Sequence, residues 1–110
     1  MEWQIKQVGI DQSDALSTFA ERRVIRPLSR MADRIRHVLV KLKADNTGSA
    51  DRLSGATVQV TLHGGQVVYV DAWAGCHYSA VDQAATRARR SVTRRVDRRT
   101  RHHRRRTSRY

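Results

Sequence analysis

A chain of 110 residues with 39% hydrophobic content is long enough for one small domain around a modest core. The net charge of +12 is unevenly spread: residues 1–86 carry ten Lys/Arg against nine Asp/Glu, whereas residues 87–110 carry twelve against one. Such a field favours a polyanion: RNA, DNA or an anionic membrane surface.

Other classes fall away on local pattern. No run approaches the ~18 apolar residues of a transmembrane helix, so no membrane-spanning segment is expected, and of the polyanions nucleic acid rather than a membrane is the expected partner. The start, "MEWQIKQVGI", lacks the basic opening and long apolar run of a signal peptide. The single cysteine, Cys76, cannot close an internal disulfide, which fits a reducing cytoplasm.

"WQIKQV" alternates, with Trp3 and Ile5 on one side and Gln4 and Lys6 on the other, as in a half-buried strand. Ser13 then reads as an N-cap, with Asp14 in the first turn of a helix. Leu16, Phe19, Ala20, Val24 and Leu28 form its core face, and Arg22, Arg26 and Arg30 make an adjacent basic stripe. Pro27 lies inside this pattern and is expected to kink the helix or end it near Arg26.

"RHVLVKLK" is a second strand, with Val38, Val40 and Leu42 facing one way. Residues 44–55, "ADNTGSADRLSG", read as an exposed loop. In "ATVQVTLHGGQVVYVDAWA", Val58, Val60 and Leu62 alternate with Thr57, Gln59 and Thr61, and Gly64-Gly65 suits the positive φ of a tight hairpin. The return strand offers Val68, Val70 and Ala72 to the core and leaves Tyr69, Asp71 and Trp73 opposite. Those two aromatics could stack on bases, cover the sheet or meet a partner.

From about Cys76 the period is helical: Val81, Ala84, Ala85, Ala88, Val92 and Val96 lie on one stripe, and Arg87, Arg90, Arg94, Arg98 and Arg101 on the opposite one. The apolar stripe stops at Val96 because Arg99 falls on its azimuth. The expected division is therefore a folded domain over 1–97 and a mobile Arg-rich tail over 98–110. The order β-α-β-β-β-α, with an antiparallel sheet apolar on one face, predicts an α+β two-layer sandwich: four strands, both helices on one face.

Catalytic and metal chemistry find little support. His63, His77, His102, His103 and Cys76 do not make the four recurrently spaced ligands of a structural zinc site. One cysteine beside one histidine is a weak nucleophile signal, even if a helix N-terminus lowers its pKa. Ser79 and Asp82 fit the S-x-x-D capping pattern, which makes Asp82 structural rather than catalytic. No phosphate-cradling Gly-rich loop is present, so neither enzymatic activity nor a cofactor, metal or small-molecule substrate is expected. The basic stripes are harder to dismiss as a solvated face: such faces mix signs, yet residues 87–96 contain no acid.

"CHYSAVDQAATRARRSVTRR" resembles the Y-x-A-[IV]-D opening and basic second helix of the ribosome hibernation-promoting factors, which include ribosome-associated inhibitor A. "VQVTLHGGQVVYVDAWA" looks like the family's paired strands, "DRIRHVLVKL" like its D-R-I-x-x-V-x-V-x-L segment, and "SDALSTFAERRV" like the start of its first helix. The likeness runs in order from residue 3 to about 98. Two departures stand out: Cys76 replaces an acidic helix cap, and Pro27 looks like a one-residue insertion in the first helix.

The resemblance implies a fold like a double-stranded-RNA-binding domain and a cytoplasmic stress or stationary-phase factor, monomeric when free. It would lack the long form's dimerisation domain. Such a factor would stop translation by occupying the tRNA and mRNA channel of the small ribosomal subunit, with basic helix residues on ribosomal RNA. The candidate RNA-binding residues are Arg22, Arg23, Arg26, Arg87, Arg90, Arg94, Arg95 and Arg98, while Tyr78 and Asp82 match Y-x-A-[IV]-D. The rival reading is a general nucleic-acid-binding module whose arginine tail coats RNA or DNA without a fixed site.

Overall fold

In the computed structural model the backbone is described over residues 1–45 and 53–107, and side chains as far as 98. The elements are β1 (Glu2–Val8), α1 (Asp14–Ala20), a π-helical turn (Glu21–Ile25), α2 (Arg26–Leu28), a 3-10 segment (Ser29–Arg34), β2 (Ile35–Ala44), β3 (Ser54–Leu62), β4 (Val67–Ala74) and α3 (His77–Thr107). The four strands form one sheet in the order β1-β2-β3-β4.

The sheet is mixed rather than antiparallel. β1 pairs with β2 in parallel, while β2–β3 and β3–β4 are antiparallel. The reason lies in the connections. The hairpin Gly64 and Gly65 adopt φ of 104° and 93°, the left-handed region a tight reversal needs, whereas β1 reaches β2 only through a helical crossover, which returns the chain in the same direction.

Val38, Val40, Leu42, Val58, Val60, Val68 and Ala72 are buried on one sheet face against Leu16, Ala20, Val24, Leu28, Val81, Ala84, Ala88 and Val92 from the helices. At ~1.5–3 kcal/mol per fully buried large aliphatic side chain, this shared layer is the main stabilising contribution. Ile35 joins it through a bulge: Ile35 pairs with Leu62 and His37 with Thr61, so the register shifts across Arg36. The extra residue reverses the inward–outward parity and lets Ile35 face the same way as Val38.

Pro27 does not end the first helix. The chain stays helical through Leu28 and runs on to Arg34 in 3-10 turns broken at Met31, whose φ of -115° and ψ of 27° are not helical. Immediately before the proline the helix widens, with the Arg26 N–H donating to the Glu21 carbonyl, five residues back. A π-turn absorbs one additional residue, which is what a one-residue insertion in the first helix would require. It also explains why Leu16, Ala20, Val24 and Leu28, four residues apart, all stay buried: a regular helix would rotate each step about 40° off the core. Ile25, absent from the expected core, is buried by the same widening.

Most of the expected loop at 44–55 lies outside the described residues. Its ends belong to strands, with Ala44 closing β2 and Ser54 opening β3, and the Asp45 N–H donates to the Leu53 carbonyl at 3.1 Å. At the other end of the chain, Val96 is the last α3 residue packed on the core among the described side chains, while the helical backbone continues to Thr107, past the division expected at 97.

Candidate nucleic-acid interface

Two helical rods side by side position the basic groups. The first begins at Ser13, whose Oγ accepts the Leu16 N–H at 3.2 Å, as an N-cap should. Gln7 fixes this corner to β1: its amide nitrogen donates to the Ser13 carbonyl at 2.8 Å and to Ser17 Oγ at 2.7 Å, and its amide oxygen accepts the Ser13 N–H at 3.0 Å.

α3 starts at His77, earlier than the S-x-x-D pattern implies, so Ser79 is inside the helix and does not cap it. The Ala80 N–H donates to the Cys76 carbonyl, the first helical bond. Cys76 is exposed, and its Sγ lies 3.4 Å from Ser79 Oγ; hydrogen bonding from the Ser79 side chain and backbone lowers the thiol's pKa. His77 Nε2 reaches the Lys43 carbonyl at 3.0 Å and fastens this end of α3 to β2.

The Y-x-A-[IV]-D residues prove to be a clamp between the rods. Tyr78 meets Phe19 edge to face with ring centroids 4.8 Å apart, and Asp82 Oδ1 accepts from Arg23 Nε at 2.6 Å. Phe19 and Arg23 are one helical turn apart, as are Tyr78 and Asp82, so the two contacts run parallel. Between them Ala80 and Val81 are fully buried. Asp82 is thus structural, but through Arg23 rather than a helix cap.

The sequence-derived arginines separate into groups. Arg23, Arg90 and Arg94 line one groove between the rods, about 740 Å³, with Pro27 and Ala85 on its walls. Arg89, not among the expected site residues, lines it too; its place one turn before Thr93 and one after Thr86, both lining residues, was the available signal. Around α3, towards the β4 edge, Arg87, Arg90 and Arg94 face Tyr69 and Asp71 across a second hollow. Arg87 Nη1 donates to the Asp71 carbonyl at 3.3 Å there. Arg95 belongs elsewhere, with Arg34 and His63 beside the hairpin. Arg22 and Arg26 are exposed on the first rod, and Arg98 on α3, outside these three hollows.

Electrostatically the surface is one-signed along α3. Between Asp82 and Asp97 there is no acid, and Asp82 is already engaged by Arg23. Among the described residues no three His, Cys, Asp or Glu side chains gather as metal ligands, and no helix is long and apolar enough to cross a membrane. What the geometry can do is hold phosphates at several helix-spaced points.

Trp73 resolves as a cover of the sheet. Its ring lies on Gly55, where an added Cβ would sit 2.8 Å from Cζ3, and its Nε1 donates to Asp71 Oδ2 at 3.0 Å. Lys43 Nζ lies 5.0 Å from the ring centroid and 3.2 Å from Asp71 Oδ1. Tyr69, by contrast, is 62% exposed.

The fold is similar to that of a ribosomal subunit interface protein from Coxiella burnetii, with a TM-score of 0.71 at 19% identity, covering 88% of this chain and 99% of that one. It is also similar to the N-terminal domain of Protein Y from Thermus thermophilus, with a TM-score of 0.62 at 26% identity over 82% of this chain and 92% of that one. No curated protein sequence matches the chain. Residues 3–100 match the family described as Sigma 54 modulation protein / S30EA ribosomal protein. The match spans most of the chain, bears out the resemblance to hibernation-promoting factors, and places the protein in that ribosome-associated family.

Proposed function

We propose that this protein is a non-enzymatic, cytoplasmic translation inhibitor that binds the small ribosomal subunit and occupies its tRNA and mRNA channel. The observation that carries this reading is the unbroken basic surface of α3, where Arg87, Arg90 and Arg94 are presented from a helix whose opposite side is locked into the core. Helix-spaced guanidinium groups on a rigid support suit a fixed array of ribosomal RNA phosphates. Counterion release supplies affinity, and the shape of the two-rod surface supplies placement. Family membership and the likeness to a subunit interface protein and to Protein Y support the ribosome as the source of those phosphates.

Sedimentation of a lysate through a sucrose gradient tests this. Co-migration with small subunits and whole ribosomes, released by high salt, is the expected result. A protein that binds naked RNA but stays at the top of the gradient would be a general nucleic-acid coat instead.

A further inference from the structure

The helix-free face of the sheet carries a charge pattern that the two-rod surface does not explain. All three lysines of the chain, Lys6, Lys41 and Lys43, stand on it. Lys6 and Lys41 are direct cross-strand partners, both exposed, and neither forms an ion pair among the described residues. Like charges set opposite one another destabilise a sheet unless an anion lies between them. The acid in the same row, Asp71, is taken by Lys43 and Trp73.

Tyr69 stands on the same face, on β4, two strands from Lys41 and one row along. On one side it borders a hollow of about 300 Å³ on the open face, shared with Leu39, Lys41, Lys43 and Gln59. On the other it borders the hollow at the β4 edge, where Arg87, Arg90 and Arg94 converge. One exposed ring therefore separates two cationic hollows that lie on different faces of the domain. Trp73, held down on Gly55, is not available for the same work.

We infer that the open sheet face is a second binding site, for unpaired RNA nucleotides: a base stacks on Tyr69, the strand runs one way across the sheet so that a phosphate further along lies between Lys6 and Lys41, and the other way round the β4 edge onto Arg87, Arg90 and Arg94. Gln59, paired with Tyr69 across the strands, offers an amide to the edge of the stacked base. Aromatic stacking bounded by cations is the chemistry by which sheets hold single strands, and it tolerates any base because each has a π-face. That the strand is RNA rests on the ribosomal reading above; the site itself is distinct from the groove between the rods.

The probes are fluorescein-labelled hexa-adenylate RNA and a blunt RNA duplex, titrated against the full chain by anisotropy. Tyr69→Ala should weaken hexa-adenylate binding by about tenfold or more, Tyr69→Phe should stay within about twofold, and duplex affinity should not change in either. Lys6→Gln with Lys41→Gln should lower single-strand affinity while raising the melting temperature of the free protein. Tyr69→Ala binding hexa-adenylate like the wild type would overturn the inference, as would a wild type that does not bind it. If Tyr69→Ala instead loosens only sedimentation with ribosomes, the face meets a protein and the RNA site falls. Loss of ribosome binding with intact, Tyr69-dependent hexa-adenylate binding would refute the channel reading and leave this one standing.

Discussion

Arg23 Nε and Asp82 Oδ1 lie 2.6 Å apart and join the two helical rods across 59 residues of sequence. Both side chains are half-exposed, so the pair is screened and contributes ~1 kcal/mol or less to stability. Its larger effect is on charge: Asp82 neutralises one of the arginines lining the basic groove. Asp82→Asn should barely move the melting temperature, yet steepen the salt dependence of RNA binding by roughly 0.7–0.9 in log–log slope if the freed Arg23 gains one phosphate. An unchanged slope would mean that Arg23 contacts no phosphate even when released.

The helix arginines and those beyond Arg98 should do different work. Replacing Arg87, Arg90 and Arg94 together should abolish inhibition in an in-vitro translation assay with the rest of the chain intact, circular dichroism confirming that the variant folds. Truncation after Arg98 removes six arginines and should flatten the salt dependence while leaving inhibition in place. If truncation alone abolishes inhibition and the triple variant still inhibits, the channel-binding role of α3 is wrong.

Hydrogen exchange should divide α3 by packing. Amides from Val81 to Val92 sit over the core and should exchange with global unfolding. Past Val96 the sequence supplies no aliphatic residue to offset the ~1–2 kcal/mol of backbone entropy per residue, so we expect protection to decay near Asp97 in the free protein. Uniform protection through Arg106 would refute this division.

Gly55→Ala probes the Trp73 cover. The new Cβ would meet the indole at 2.8 Å and displace it from Asp71 and Lys43. Overpacking of this kind costs ~1–3 kcal/mol, and a red shift of tryptophan emission should accompany the lower melting temperature.

Local periodicity was enough for much of this molecule. The stripe Val81, Ala84, Ala85, Ala88, Val92 and Val96, the alternation along β3 and β4 and the Gly64-Gly65 turn were legible because side-chain direction repeats every 3.6 or 2 residues whatever lies across the core. The basic surface was legible for a similar reason, since Arg87, Arg90 and Arg94 must oppose a stripe that is buried. That Arg95 lines a different hollow was not legible, because its surroundings there, Arg34 and His63, come from distant segments.

Long-range partners decided the rest. The parallel pairing of β1 depends on where the crossover sets the chain down, and the π-turn before Pro27 on a core that holds both Val24 and Ile25. Asp82 read as a cap within its own helix because the sequence shows only near neighbours, and Arg23 enters its reach only when the rods pack. Trp73 and Tyr69 were equivalent by strand parity. They differ because Gly55 lies across the strand from Trp73 and lets its ring lie against the backbone, whereas Gln59 lies across from Tyr69 and that ring stays largely in solvent. Chain periodicity determines which face a residue takes, but only the opposing strand or helix determines what it touches there.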